Sequence, residues 1–311
     1  MFPRLRLASS TLKAKLYLQN RPVVTSTNEP KVPMNTPTLY ATGNSFQKKD
    51  NMMALDMLNM AFKDSDETQQ FLDIGCAGGD FTHDVLLPKC GPCRRLVGAD
   101  ISEAMIKHAM SNYPNPKLSY EVLDITGDMS PFLDAYGHFN RVYSFYCLHW
   151  VKDQKTAMTN IARLLTPDGE CLLVFCGKTT FYCGKTTFYE VWREFVQDER
   201  WKHYKKTFEK FIPPSQYEDD LRSYMEKLLA MAQLQPHTCE VLHNLWVFPT
   251  EQSLRDTLLP VLPTLGDMEQ AEKEEIFEDL YSRILSRCLP QPDGISMDSF
   301  LYVVHASKRL N

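Results

Sequence analysis

The sequence has no apolar run approaching the roughly 20 residues that a membrane-spanning helix needs, so it predicts a soluble protein without a membrane span. It has no surplus of basic charge: 34 Lys and Arg face 39 Asp and Glu, a formal net charge of −5. That balance gives no general pull toward nucleic acid or an anionic membrane. No secretory apolar segment opens the chain, so its nine cysteines read as reduced thiols of an intracellular protein. One pair, Cys90-Gly91-Pro92-Cys93, has thioredoxin-type spacing. Redox chemistry wants the first cysteine at a helix N-terminus, and here the pair precedes a strand. No second pair completes a zinc site. The motif reads as a plain loop, and no metal is expected.

Acidic residues are missing before Glu29, while Arg4, Arg6, Lys13, Lys15 and Arg21 occur among Ser and Thr. This is the composition of a mitochondrial presequence, and equally of a disordered tail or of a segment upstream of a start at Met34. Residues 1–33 are therefore read as an N-terminal extension and residues 34–311 as one domain without a linker. Cytoplasmic localisation is expected, mitochondrial if the extension is a working presequence. The remaining composition, 43% hydrophobic and 23% charged, is ordinary for a globular protein.

The most informative stretch that is present is FLDIGCAGGDFT, residues 71–82. An apolar strand runs into a turn of small residues, and a helix from Phe81 to Leu87 follows, expected to stop at Pro88. Glycines let the backbone turn sharply and approach a ligand, and the helix start offers N–H groups to a carboxylate or phosphate. A dinucleotide fingerprint requires G-x-G-x-x-G, and Ala77 and Asp80 fill two of its three positions. The alternative pattern, D-x-G-x-G-x-G, is met by Asp73, Gly75 and Gly79, with Ala77 at the middle glycine. It resembles the first motif of class I methyltransferases that use S-adenosylmethionine (SAM). If that middle position has positive φ, alanine costs roughly 1 kcal/mol there.

Further strands are expected at 95–100, 118–123, 141–145 and 170–175, alternating with helices that include one at 103–110 capped by Ser102. Such alternation predicts an α/β, doubly wound, mostly parallel sheet, whose ligands sit at the carboxyl ends of its strands. Gly75, Asp100, Asp124 and Trp150 all fall at those ends. For SAM as ligand, the turn from Gly75 through Cys76 to Gly79 would face the amino-acid end. Asp100 would accept from the ribose and Asp124 from the adenine amine, with Ile101 and Ile125 against the ring. Helix N-caps and solvated strand ends are the plainer roles for both aspartates. Two strands, 240–248 and 300–307, are expected late in the chain, with a helix at 268–287 between them.

The heptapeptide CGKTTFY occurs twice between Cys176 and Tyr189. Its Gly-Lys-Thr looks like a P-loop tail, but Leu172 and Thr179 stand where the upstream glycine belongs, which excludes triphosphate binding. A tandem duplication lengthening a loop is the better reading. Aromatic residues Trp192, Phe195, Trp201, Tyr204, Phe208 and Phe211 then mark a helical region. Inserted after the fifth strand, residues 177–240 would form a helical cap over an apolar substrate pocket.

With these residues in place, the chain from 34 to 311 resembles the juvenile hormone acid methyltransferases of arthropods. The resemblance rests on residues 39–50 (Leu-Tyr…Asn…Gln…Asp), on 71–82, and above all on SFYCLHWVKDQ at 144–154. It implies a seven-stranded class I sheet, SAM as cofactor, and Gln47 and Trp150 as the contacts of a substrate carboxylate. The implied reaction is O-methylation of an apolar acid, a sesquiterpenoid or fatty acid. Methylation of a small polar acid and SAM binding without catalysis stay open at this point. The sequence does not set the oligomeric state.

Overall fold

The central strands are apolar at nearly every position, and such strands need cover on both faces. In the computed structural model, which describes residues 36–181, 186–263 and 268–309, they receive it. Phe71, Tyr143 and Leu172 enter one core cluster, while their neighbours Leu72, Val142 and Leu173 enter another. That is the period of two imposed by a pleated strand.

The strands are β1 (Gln70–Ile74), β2 (Arg95–Asp100), β3 (Leu118–Val122), β4 (Phe139–Phe145), β5 (Leu165–Phe181), β6 (Thr186–Thr187), β7 (Leu234–Phe248), β8 (Leu289–Gln291) and β9 (Gly294–Lys308). Their main path is β3-β2-β1-β4-β5-β9-β7, with β6 on β5 and β8 on β9. The pairs from β3 through β5 are parallel, and β9 runs antiparallel to both β5 and β7. The expected doubly wound, mostly parallel seven-stranded sheet is present, with two short strands added. Its order reverses between β1 and β4, the point at which such sheets bind ligands.

Helices α1 (Pro37–Gly43) and α2 (Ser45–Leu58) precede the sheet; α3 (Glu103–Asn112), α4 (Ser130–Tyr136) and α5 (Gln154–Leu164) connect its parallel strands. Ser102 caps α3 as expected, its side chain accepting from the Met105 N–H at 3.3 Å. Three helices lie between β5 and β7: α6 (Phe188–Phe195), α7 (Lys205–Lys210) and α8 (Leu221–Met231). The last two, α9 (Glu251–Leu258) and α10 (Gln270–Leu285), lie between β7 and β8.

Three expectations change in detail. The helix after the glycine turn does not stop at Pro88 but continues through Leu87–Lys89. Just ahead of the proline the helix widens to a π-turn, Thr82–Leu86, in which the Leu87 N–H reaches Thr82 O. The widened turn makes room for the ring and asks no N–H of it. Helical structure between β5 and β7 spans 188–231, narrower than 177–240. Thr179 and Thr180 are β-formers that keep pairing with β9, opposite Ser299 and Asp298, and Leu234 to Glu240 pair with the same strand. The first CGKTTFY copy is therefore largely strand rather than loop, and the second opens α6; residues 182–185 lie outside the described residues. So do residues 1–33, with the presequence reading placed on them. All eight described cysteines are free thiols, and no described helix is long and apolar enough to cross a membrane.

Candidate active site

Backbone geometry at the end of β1 makes the first half of the site. Gly75 and Gly79 have φ of +78° and +86°, and Ala77 has +47°, so the middle position does demand the left-handed region. A Cβ on Gly75 would stand 2.5 Å from Cys147 Sγ, and one on Gly79 would stand 2.7 Å from the Ala109 Cβ. The N–H groups of Gly75 and Cys76 both donate to Ala99 O, at 2.7 and 3.0 Å, which ties the turn to β2.

This turn floors a cleft of about 340 Å³ whose lining includes Asp73, Gly75, Cys76, Asp80, Gln47 and Lys48. Asp73 is only 2% exposed. Its Oδ2 accepts from Thr82 Oγ1 at 2.6 Å, and its Oδ1 is buried without a partner among the described residues. Lys48 pairs with Asp80 at 2.5 Å across the rim. Asp100 borders the turn: its Oδ2 accepts from the Ala77 N–H at 3.1 Å and its Oδ1 from Ser102 at 2.8 Å. Burial raises the Asp100 carboxyl above its ordinary value, partly offset by these backbone donors.

Four other expected cofactor residues are placed as follows. Gly79 packs behind the turn against α3 and Tyr120. Asp124 is exposed, its Oδ1 accepting from the N–H and hydroxyl of Thr126 at 2.9 and 2.7 Å. Ile101 is 48% exposed, whereas Ile125 belongs to the core and its carbonyl accepts from Asn160 at 2.8 Å. None of these four lines the 340 Å³ cleft.

A second cleft of about 510 Å³ opens beside the first, bordered by Tyr146, His149, Trp150, Phe188, Trp246 and Leu258. Gln47 lines both clefts. An apolar extension of about 240 Å³ shares Phe188, Leu258 and Val261 and continues between Trp192 and Phe277. Gln47 Oε1 and Trp150 Nε1 are buried and have no hydrogen-bond partner among the described residues. Trp150 closes a 3₁₀ turn, Leu148–Trp150, directly after β4. That turn is pinned by Gln154, which donates to Leu148 O at 3.0 Å and accepts from the Tyr224 hydroxyl of α8 at 2.9 Å.

Asp50 emerges only in the fold. It accepts from the Tyr146 hydroxyl at 2.5 Å, from Asn244 at 3.0 Å and from the Trp246 indole at 3.3 Å. Burial raises its carboxyl, and the donors pull it back down. Lying one helical turn beyond Gln47 on α2, it locks that helix against β7 and against Tyr146, which holds φ of +49°. Asp50 stands in the opening motif, but linear spacing gives it no partner.

The first cleft suits SAM, which carries a sulfonium, an ammonium and a carboxylate. Asp73 and Asp80 supply negative charge inside it, and Asp100 adds more at its border. Lys48 supplies the positive charge, and the unpartnered Asp73 oxygen leaves an acceptor free. Burial pushes the Asp73 carboxyl up to about 7, with Thr82 lowering and Asp100 raising it further. A cationic ligand favours the ionised form, so below that pH binding must expel a proton. SAM affinity should therefore rise with pH by up to about tenfold per unit below about 7 and flatten above it. Calorimetry across pH 5.5–8.5 in buffers of different ionisation enthalpy reads both the trend and the proton. An affinity independent of pH would contradict this role.

A family profile described as a methyltransferase domain matches residues 72–173. Juvenile hormone acid O-methyltransferase of Bombyx mori is 35% identical over 198 residues, 63% of this chain and 67% of that protein. The Drosophila melanogaster enzyme of the same name is 30% identical over 271 residues, covering 86% and 89% respectively. Among solved structures, a candidate methyltransferase of Bacillus halodurans superposes with a TM-score of 0.51 at 15% identity. It covers 82% of this chain and 98% of its own, a likeness of fold.

Proposed function

This chain belongs to the juvenile hormone acid O-methyltransferase family of class I, SAM-dependent methyltransferases, and from that premise we propose that it esterifies the carboxylate of an apolar acid, a sesquiterpenoid or fatty acid. One observation carries the reading: Gln47 stands at the junction of a charged cleft suited to SAM and a larger cleft with an apolar extension. A small polyacid fits less well. The larger cleft has no Lys or Arg in its described lining, so extra carboxylates would be buried without a counter-ion.

Bound SAM supplies a methyl group on a sulfonium, an electrophile. A carboxylate is ionised at neutral pH, so the chain needs no general base. The Gln47 amide and the Trp150 indole N–H are neutral donors that hold the carboxylate without cancelling its charge. Their main contribution is alignment, which in favourable cases lowers a barrier by several kcal/mol. The aromatic cover from α6 keeps water from the nucleophile.

The test is transfer from methyl-labelled SAM by the full chain to farnesoic acid, long-chain fatty acids and short polyacids. Organic-extractable label that mild base releases as methanol, from the apolar acids alone, is the expected result. Label on the polyacids alone would overturn the apolar reading. SAM binding without single-turnover transfer to any acid would favour a non-catalytic binding protein.

A further inference from the structure

Asn51 stands in the interior of α2, where asparagine is a weak choice because its amide competes with the backbone for hydrogen bonds. Ala54 and Leu55, one turn further along the same face, enter the core. Asn51 is 5% exposed, and its Oδ1 is buried without a partner among the described residues. Such an acceptor carries its full desolvation penalty, which packing alone does not repay. Asn51 also lines the first, charged cleft, as does Asp73 with its own unpartnered Oδ1. The nearby donors are committed elsewhere. Lys48 pairs with Asp80 at 2.5 Å, Asn44 donates to Asp80 at 3.5 Å, and the Thr82 hydroxyl donates to the other Asp73 oxygen. Two buried acceptors thus face one cleft and call for a ligand that donates.

We propose that Asn51 is a cofactor-binding residue, its Oδ1 accepting a hydrogen bond from the α-ammonium of SAM alongside Asp73 Oδ1. Of the groups SAM carries, only the ammonium both donates hydrogen bonds and bears positive charge. The sulfonium has no N–H or O–H, while the ribose hydroxyls and the adenine amine are neutral. An ammonium has three N–H groups, so it serves both acceptors at once. One carboxylate is enough to balance its charge. A neutral amide at position 51 adds a second acceptor without setting two anions side by side, a pairing that would raise the pKa of one of them and weaken its hold. The cleft thereby selects a cofactor that keeps its amino group. This assignment rests on SAM occupying the first cleft and not on which acid is methylated.

The test is calorimetric binding to the full chain of S-adenosylhomocysteine and of an analogue with hydrogen in place of its amino group. The wild-type chain should bind S-adenosylhomocysteine more tightly than the analogue, by about tenfold or more. Asn51→Leu, which replaces the amide with an apolar side chain of similar size, should weaken S-adenosylhomocysteine by about tenfold and leave the analogue unchanged. If the leucine variant does not fold, Asn51→Ala deletes the same acceptor with the strongest helix former. Equal loss for both ligands, or no loss for either, would overturn the assignment of Asn51. A wild-type chain that binds the two ligands equally would instead overturn the placement of the cofactor's ammonium in this cleft.

Discussion

A Gln47→Leu variant should fold, bind S-adenosylhomocysteine normally and lose about 100-fold in kcat/KM for its acid. That is the scale expected when a nucleophile is held about an ångström out of line with the methyl carbon. Folding should survive because Gln47 Oε1 has no partner among the described residues, so leucine, of similar volume, breaks no hydrogen bond to them there. Removing an unpaired buried polar group is neutral to favourable for stability. Trp150→Phe keeps an aromatic ring beside His149 and removes the indole N–H, unpartnered among the described residues, together with part of the indole's volume. It should cost less, about tenfold. The split between kcat and KM then tells whether each donor acts in the bound acid or in the transition state. Full activity in either variant would remove that residue from the carboxylate site.

Gly75→Ala should be worse, because it damages the cofactor cleft and the fold together. Its φ of +78° costs an alanine about 1–2 kcal/mol. The new Cβ would also stand 2.5 Å from Cys147 Sγ, an overpacking that adds about 1–3 kcal/mol. Denaturant unfolding should show a loss of about 2–5 kcal/mol, with SAM affinity down at least about 100-fold as the turn moves. Ala77→Gly is the matched control. At φ of +47° it relieves strain and should stabilise by up to about 1 kcal/mol. A Gly75→Ala chain that binds SAM normally would show that the turn does not floor the cofactor cleft.

The parts of this molecule that were legible in its sequence are those that local chemistry decides. Continuous apolar runs such as Phe71-Leu72 and Val142-Tyr143 mark strands buried on both faces, Ser102 announces its helix, and the residues around Gly75 announce the turn. Positive φ at Ala77 was legible as a condition of the motif. What stayed hidden depends on residues far apart in the chain. Asp50 meets Tyr146 across 96 positions and Asn244 across 194, and no pattern in the sequence links them. Nor does spacing reveal that Gln47 borders two clefts. The longer β5 and β7 depend on the register of β9, which only the assembled sheet sets. Asp124 and Ile125 mark a strand end correctly, yet one turns to its own loop and the other to the core.

The most direct test of carboxyl methylation at this site is the structure of a ternary complex with S-adenosylhomocysteine and farnesoic acid. The carboxylate should lie between Gln47 and Trp150, within hydrogen-bond reach of both, about 2.7–3.2 Å. The terpenoid tail should run past Leu258 toward Phe277. An acid bound the other way round, with its carboxylate near Phe277 and its tail at Gln47, would contradict this placement.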